Sequence, residues 1–508
     1  MNENDKQTTN VFKNPVFTIS MTIFLILVVW AFAGASSFNS MTNSAFDFLT
    51  GKFGWLYIMS VAAFLVWCLY IAISKYGKIK LGPDDSEPEY STFSWFSMLF
   101  SAGMGIGMVF FAIVEPLQQY MYRGAGGTAE AAWDAKVWAV KTSFFHWGLH
   151  PWACFCVIGL GLAYMQFRKG KPGLISSIFI PIIGEKWATN WLGKAIDILA
   201  IVATVLGKIS SLGIGTLQIN AGLHYIFGLP ENNAMKIAII ASFTVIFTAA
   251  AVSGIEKGID LIAKLNVWFV FILMALAFII GPTLTDLHIL SDATGAYLQN
   301  IVGDSLYVGL PGNTWSAKWT IFFWAWWVSW GPFVGTFIAR ISRGRTIREF
   351  IVAVLIVPTL LTLLWFAVLA PMGLESTQAI IEQAAGNEAL SCFLVFGQYG
   401  FIGKLMGIIT LILVCTFFIT SADSAVIVLG IFSENGTLEP SKKSLLMWGI
   451  LEGAFAIVLM IGSQDALSTM ETLAIVGAFP FIFVEIGAVF GLTRGLRNEQ
   501  LRIEEFQD

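Results

Sequence analysis

The chain has 508 residues; 56% are hydrophobic and 14% aromatic, while only 12% are charged. A soluble domain carries roughly twice that charged fraction, so lipid is the expected solvent. The net charge of −4 excludes a broad basic surface, and nucleic-acid binding with it.

Apolar runs of about 20 residues, enough to cross roughly 30 Å of hydrocarbon, recur at 16–35, 55–74, 94–114, 144–165, 195–216, 235–255, 262–283, 319–339, 349–371, 402–432, 444–463 and 471–492. Twelve spans predict an all-α membrane protein. The first run follows Lys6 and Lys13 but is longer than a signal-peptide core, so it reads as a retained first helix. Lys and Arg sort between the two sets of loops. Twenty-one, from Lys6 through Lys75–Lys80, Arg168–Lys171 and Arg340–Arg348 to Arg502, flank one side, and seven (Lys52, Arg123, Lys136, Lys141, Lys236, Lys318 and Lys404) the other. This predicts cytoplasmic N- and C-termini. The organisation expected is a cytoplasmic segment 1–15, two peripheral helices in 16–93, five spans in 94–283, an outward loop 284–318 with an amphipathic stretch 293–307, five more spans in 319–492, and a short tail 493–508. A unit with an odd number of spans inserts its second copy upside down, so two plus five plus five is an inverted repeat.

Span three holds Ser101-Ala-Gly-Met-Gly-Ile-Gly107, with glycine at alternate positions. Glycine costs a helix interior about 1 kcal/mol. Such spacing serves either close helix packing or an unwound stretch whose backbone binds a solute, the pattern of transporter sites. Span four carries Trp147, Trp152 and Phe155, with Gly148 and Pro151 loosening the helix. His146 and His150 lie one turn apart without the Glu of a zinc helix, and structural hydrogen bonding is the simpler reading. Span five contains Thr204, Lys208, Ser210 and Ser211. A mid-span lysine is a cation already in place, paired with a carboxylate or standing where a metal ion would.

Span eight reads Phe322-Phe-Trp-Ala-Trp-Trp-Val-Ser-Trp330. Trp315 and Trp319 suit an interfacial belt, but Trp324, Trp326, Trp327 and Trp330 run too deep for one. A trimethylammonium group has no N–H to donate, so it is held by ring faces at about 0.5–2 kcal/mol each. An uncharged cage also leaves no fixed anion to trap a cargo. Span ten clusters Thr420, Ser421, Asp423 and Ser424, the hard oxygens that a sodium ion prefers; back-bonding to the helix would account for one or two of them. Cys68, Cys154, Cys156, Cys392 and Cys415 are scattered in apolar runs and form neither a disulfide framework nor a metal motif. No paired acid–base groups mark an enzyme, no cofactor motif appears, and a channel would want a polar ring rather than a cage.

Gly103–Gly107, Phe145-His-Trp-Gly-Leu149, Trp324–Trp327, Ala339-Arg-Ile-Ser-Arg-Gly-Arg345 and Thr420–Ser424 are the segments by which this sequence resembles the betaine/carnitine/choline transporter family, over about residues 15–495. The resemblance implies a sodium-symporter-like (LeuT-type) inverted repeat of spans three to seven and eight to twelve, a homotrimer in a bacterial inner membrane, and import of a quaternary-ammonium zwitterion by cation-coupled symport. The substrate would sit among Met104, Gly105, Gly107, Trp147, Trp152, Phe155, Ser211, Trp326, Trp327 and Trp330. Family betaine carriers have tyrosine where Phe155 stands. Choline carriers often have an acid where Gly107 stands, and its absence favours a substrate with its own carboxylate. One sodium site, formed by Ser101, Met104, Phe417, Thr420 and Ser421, looks intact. The second, formed by Thr204, Lys208 and Asn266, is degenerate, because sodium-coupled members have threonine in place of Lys208. Sodium-independent exchange and proton-coupled carriage of choline or carnitine are the alternatives.

Overall fold

Hydrocarbon offers backbone groups no partner, so a chain this apolar must satisfy its amides within helices. The computed structural model describes residues 11–505 apart from Met104, Ala125, Ile255, Pro311 and Gln464, and its side-chain description excludes 100–103, 256–260 and 502–505. The long helices are α1 (Pro15–Ala33), α2 (Ala35–Ile73), α3 (Thr92–Gly103), α4 (Ile106–Arg123), α5 (Ala129–Trp147), α6 (Leu149–Ala163), α7 (Trp191–Phe227), α8 (Asn233–Ser253), α9 (Glu256–Ile280), α10 (Thr283–Ser305), α11 (Phe322–Arg340), α12 (Ile347–Leu374), α13 (Gly400–Ser433), α14 (Lys442–Gly462) and α15 (Ala466–Glu505). Among the described residues, the only β-pairing recorded is a bridge between Lys80 and Thr346.

Local chemistry fixes many helix starts. Asn14, Thr128, Asn232 and Ser441 each accept a first-turn amide of the helix they precede. Thr346 and Glu349 cap α12 reciprocally. Eleven helical stretches among the described residues are long and apolar enough to cross a membrane, so this is a multi-pass membrane protein. The pair α3 and α4 falls outside that set.

The glycine-rich third span is interrupted, though over less chain than Gly103–Gly107. Gly103 ends α3, Gly105 is extended (φ −148°, ψ −177°), and Gly107 is already helical in α4. The fourth span breaks at Gly148 between α5 and α6. A Cβ there would lie 2.5 Å from the Phe144 carbonyl oxygen and 2.9 Å from Tyr297 Oη. Sequence periodicity places the start of this span at 144, but polar residues such as Asp134 and Lys136 hide a helix that begins at Ala129. The segment read as an outward loop is largely the 23-residue helix α10, packed on α5 and α12.

Helix α11 lies at the centre, against α6, α7 and α15. It meets α6 closely because a Cβ on Gly159 would sit 3.2 Å from the Gly335 carbonyl oxygen. Helix α12 packs on α4 and α6, α13 on α7, α8 and α9, and α8 on α14. The loops sort as their charges do. On the basic face, Arg168 joins Asp84 (2.5 Å), the Gly82 carbonyl oxygen (2.8 Å) and Glu499 (2.7 Å), and Leu81 pairs with Arg345 through the backbone. On the other face, Lys136 pairs with Glu375 and Lys141 with Asp304.

Asp286, in the first turn of α10 and outside the spanning stretches, is buried with neither carboxylate oxygen hydrogen-bonded. Burial pushes its carboxyl up to about 7. A folded-state value raised above that of the unfolded chain means that folding is favoured at low pH, and the advantage fades as pH rises through 7. Asp286→Asn should therefore raise the melting temperature in detergent at pH 8 by about 1–2 °C, with a smaller gain at pH 5 and almost none below about pH 4. A pH-independent difference would disprove the ionisation account.

Candidate functional site

The interruption at Gly105 brings α4 to the aromatic face of α11. A cavity of about 30 Å³ there is lined by Gly105, Gly107, Met108, Trp147, Pro151, Trp152, Phe155, Trp326, Trp327, Trp330 and Thr362. None of these residues is charged. By the same measure one water needs about 10–15 Å³, so the cavity as it stands accommodates two or so waters, and a larger guest requires the rings to part. A larger cavity, about 990 Å³, opens between α2, residues 308–318 and α15 and is lined by Asp47, Glu388, Asp465 and Glu471 against Lys318. It lacks the ring enclosure of the smaller one.

The rings interlock. Trp326 and Trp327 stack at 5.0 Å and 17°, Trp147 meets Trp327 edge-on at 4.9 Å, and Trp330 meets Trp326 edge-on at 5.6 Å. Phe155 closes another side, 6.2 Å from Trp327 and 5.5 Å from Trp152. Gly107 makes room for this arrangement, since a Cβ would fall 2.5 Å from Trp326 Cη2 and 3.1 Å from Trp147 Cη2. Several ring faces around one space attract a cation that has no hydrogen-bond donor.

Four indole N–H groups bond to residues outside the cavity lining and anchor the cage. Trp326 and Trp330 both donate to the Gly207 carbonyl oxygen at 3.3 Å, and Trp327 donates to that of His146 at 2.9 Å. Trp147 donates to Glu115 Oε2 at 2.8 Å. Glu115 Oε1 lies 2.6 Å from His146 Nδ1, and His146 Nε2 lies 3.0 Å from Thr320 Oγ1. Sequence reasoning singled out His146 but missed Glu115, Met108 and Thr362. Only the rarity of a carboxylate inside α4 could have flagged Glu115. Trp319, expected in an interfacial belt, is buried and stacks on His146 instead.

Of the expected substrate residues, Gly105, Gly107, Trp147, Trp152, Phe155, Trp326, Trp327 and Trp330 line the cavity. Ser211 is buried but does not line it, and Met104 lies outside the described residues, as does the side chain of Ser101. The two expected cation clusters are not arranged as two separate sets. Lys208, assigned with Thr204 and Asn266, extends to Ser421 Oγ of the other cluster, and its Nζ lies 4.9 Å from the ring centroids of both Trp330 and Phe333. Asn266 instead accepts from Thr416 at 2.5 Å. Thr204 bonds back to the Ala200 carbonyl oxygen, and Thr420 to those of Thr416 and Phe417. Lys208 reaches Ser421 because its stem spans the α7–α13 contact, which spacing along one helix cannot reveal.

The chain matches the profile of the BCCT, betaine/carnitine/choline family transporter, over residues 15–501. It is 41% identical to a probable glycine betaine transporter of Desulfitobacterium hafniense, covering 96% of this chain and 98% of that protein. It is 42% identical to the glycine betaine transporter OpuD of Bacillus subtilis, covering 96% of each. An ectoine/hydroxyectoine transporter of Virgibacillus pantothenticus is 35% identical, with 99% of each chain covered.

The crowding at Gly107 can be tested directly. Gly107→Ala should displace Trp326, costing about 1–3 kcal/mol of packing, and should lower the melting temperature and alter tryptophan emission. Gly105→Ala, whose Cβ meets only Trp330 at 3.9 Å, should leave both nearly unchanged. Equal effects at the two positions would show that ring contact is not what constrains residue 107.

Proposed function

The chain belongs to the betaine/carnitine/choline transporter family, and from that premise we propose that it imports a quaternary-ammonium zwitterion, glycine betaine or a related compatible solute or carnitine, by cation-coupled alternating access across a bacterial cytoplasmic membrane. It is a transporter, not an enzyme. The observation that carries the substrate reading is the cavity lined by six aromatic residues and no charged side chain. Uncharged ring faces hold a trimethylammonium group and still let it go. Gly105 and the start of α4 offer amides and the positive end of a helix to the carboxylate of the solute. The similarity to glycine betaine and ectoine transporters fits a zwitterionic cargo.

The architectural part of the proposal is a pair of five-span units, with α3/α4 crossing together as the twelfth passage. Exchange α3/α4 with α11, α5/α6 with α12, α7 with α13, α8 with α14 and α9 with α15, and helix contacts map onto helix contacts. The contact of α11 with α6 becomes that of α4 with α12, α15 with α7 becomes α9 with α13, and α11 with α7 becomes α4 with α13. Five passages per unit invert the second copy. Cytoplasmic termini follow from the basic face, and a homotrimer in the lipid bilayer is carried over from the family resemblance.

Lys208 favours a second reading of the coupling. An ammonium at Ser421 takes the place of one sodium ion, so sodium-independent exchange or proton-coupled carriage competes with sodium symport. Uptake into vesicles with sodium and proton gradients imposed separately decides among them. With Lys208 in place, uptake should depend on sodium with a Hill coefficient of about one at most, because a second cation nearby is repelled by several kcal/mol. Lys208→Thr should steepen that dependence. A coefficient near two in the parent would refute the substitution of ammonium for sodium.

The cage itself predicts that Trp327→Leu, which keeps bulk but loses the ring face, weakens glycine betaine binding at least about tenfold, or 1.4 kcal/mol. Tryptophan fluorescence titration measures this, and an unchanged dissociation constant would move the site elsewhere.

A further inference from the structure

Of the four cage indoles whose N–H bonds are described above, three donate to neutral carbonyl oxygens and one, that of Trp147, donates to a carboxylate. The acceptor, Glu115, is fully buried, and so is its other partner, His146. An ionised carboxylate only accepts hydrogen bonds, so His146 Nδ1–H donates to Oε1, and Nε2 shares a hydrogen bond with the Thr320 hydroxyl. Glu115 thus receives two hydrogen bonds, one on each oxygen. His146 is the only ion-pair partner of Glu115 among the described residues. A charge so deep in a spanning protein is costly and rarely idle.

We propose that Glu115 is a positioning and polarising residue for the cage: its carboxylate, bonded to the Trp147 N–H, enriches the indole face that lines the cavity and so favours a quaternary ammonium over a neutral group of the same shape. The inference rests on the ammonium-cage reading of the cavity. Its physical basis is that a charge-assisted bond is shorter and stronger than its neutral counterparts. Here the distance is 2.8 Å to Glu115, against 2.9 Å to the His146 carbonyl oxygen and 3.3 Å for the two bonds that share the Gly207 carbonyl oxygen. Hydrogen bonds in a low-dielectric interior also polarise the groups they join. The electron density drawn to the ring adds to the quadrupole that attracts a cation. A carboxylate in the cavity wall would grip a cation directly; placed behind a ring, it strengthens attraction without touching the cargo. The same unit steadies a second ring, because the His146 carbonyl oxygen holds the Trp327 N–H.

The test compares two ligands of nearly equal shape and volume, glycine betaine and 3,3-dimethylbutanoate, in which a carbon replaces the ammonium nitrogen. Dissociation constants for both are measured on the purified full-length protein and on Glu115→Gln, which keeps an acceptor oxygen but loses the charge. The expected result is that the preference for betaine falls about three- to tenfold in the variant, a fraction of a cation–π contact, while dimethylbutanoate binds nearly as before. A purely structural role would weaken both ligands equally, and that outcome overturns the proposal. In a Trp147→Phe background, where no N–H remains, Glu115→Gln should change the preference no further; a persisting effect would mean that the charge acts through space, which also overturns it. If Glu115→Gln does not fold, Glu115→Asp withdraws the carboxylate from the indole and should lower the same ratio. A parent protein that binds both ligands alike refutes the ammonium cage itself, and this inference with it; preference in the parent with no change in the variant refutes this inference alone.

Discussion

A backbone amide released from a helix has no partner in hydrocarbon, and that constraint decides where this bundle can bend. Each of its two sharp breaks is covered by protein. Leu149, just past the break at Gly148, bonds its N–H to Tyr297 Oη at 3.2 Å. Gly105 sits beside Trp330, at the cavity. The aromatic side chains of α11 thus line the space in which an interrupted helix is tolerable. Small residues let the backbones approach there, and the large rings fill the remaining volume, so steric and solvation demands converge on one region of the fold.

Charge in the interior is handled in two contrasting ways. Glu115 is built into a set of hydrogen bonds with both oxygens occupied. Lys208 sits over two rings and against a hydroxyl, and the buried Glu452 lies near enough to interact with it electrostatically. Both charges therefore border the ring system from behind, one negative beyond Trp147 and one positive beyond Trp330. A dipolar solute between them would meet an oriented field rather than a uniform pocket.

Much of this was legible in the residues. Spans such as 235–255 and 444–463 are strongly apolar, with one charged residue each, Lys236 and Glu452, and their helices occur within a few residues of the expected limits. Trp326 and Trp330 lie four apart, so a shared helix face followed from periodicity alone. What sequence hid has common causes. Helices α5 and α10 carry polar residues because one end or face leaves the hydrocarbon, and hydropathy fails at such places. Glu115 sits in an otherwise apolar run, and its meaning depends on two residues of α5 that only the fold brings near it. Lys208 was conspicuous, but the length of its stem carried the ammonium to another helix, so its partner could not be read from neighbours in the chain.

The small volume of the aromatic cavity has a consequence for rate as well as for affinity. A guest larger than a water or two cannot enter until stacked rings separate, and Trp326 and Trp330 share one carbonyl acceptor, so movement of either disturbs the anchorage of the other. Association then includes a rearrangement of the protein, and its rate constant falls below that of docking to a preformed surface, about 10⁵–10⁷ M⁻¹s⁻¹. At high solute concentration the observed rate levels off at the speed with which the rings open, and that limit belongs to the protein whichever solute it carries.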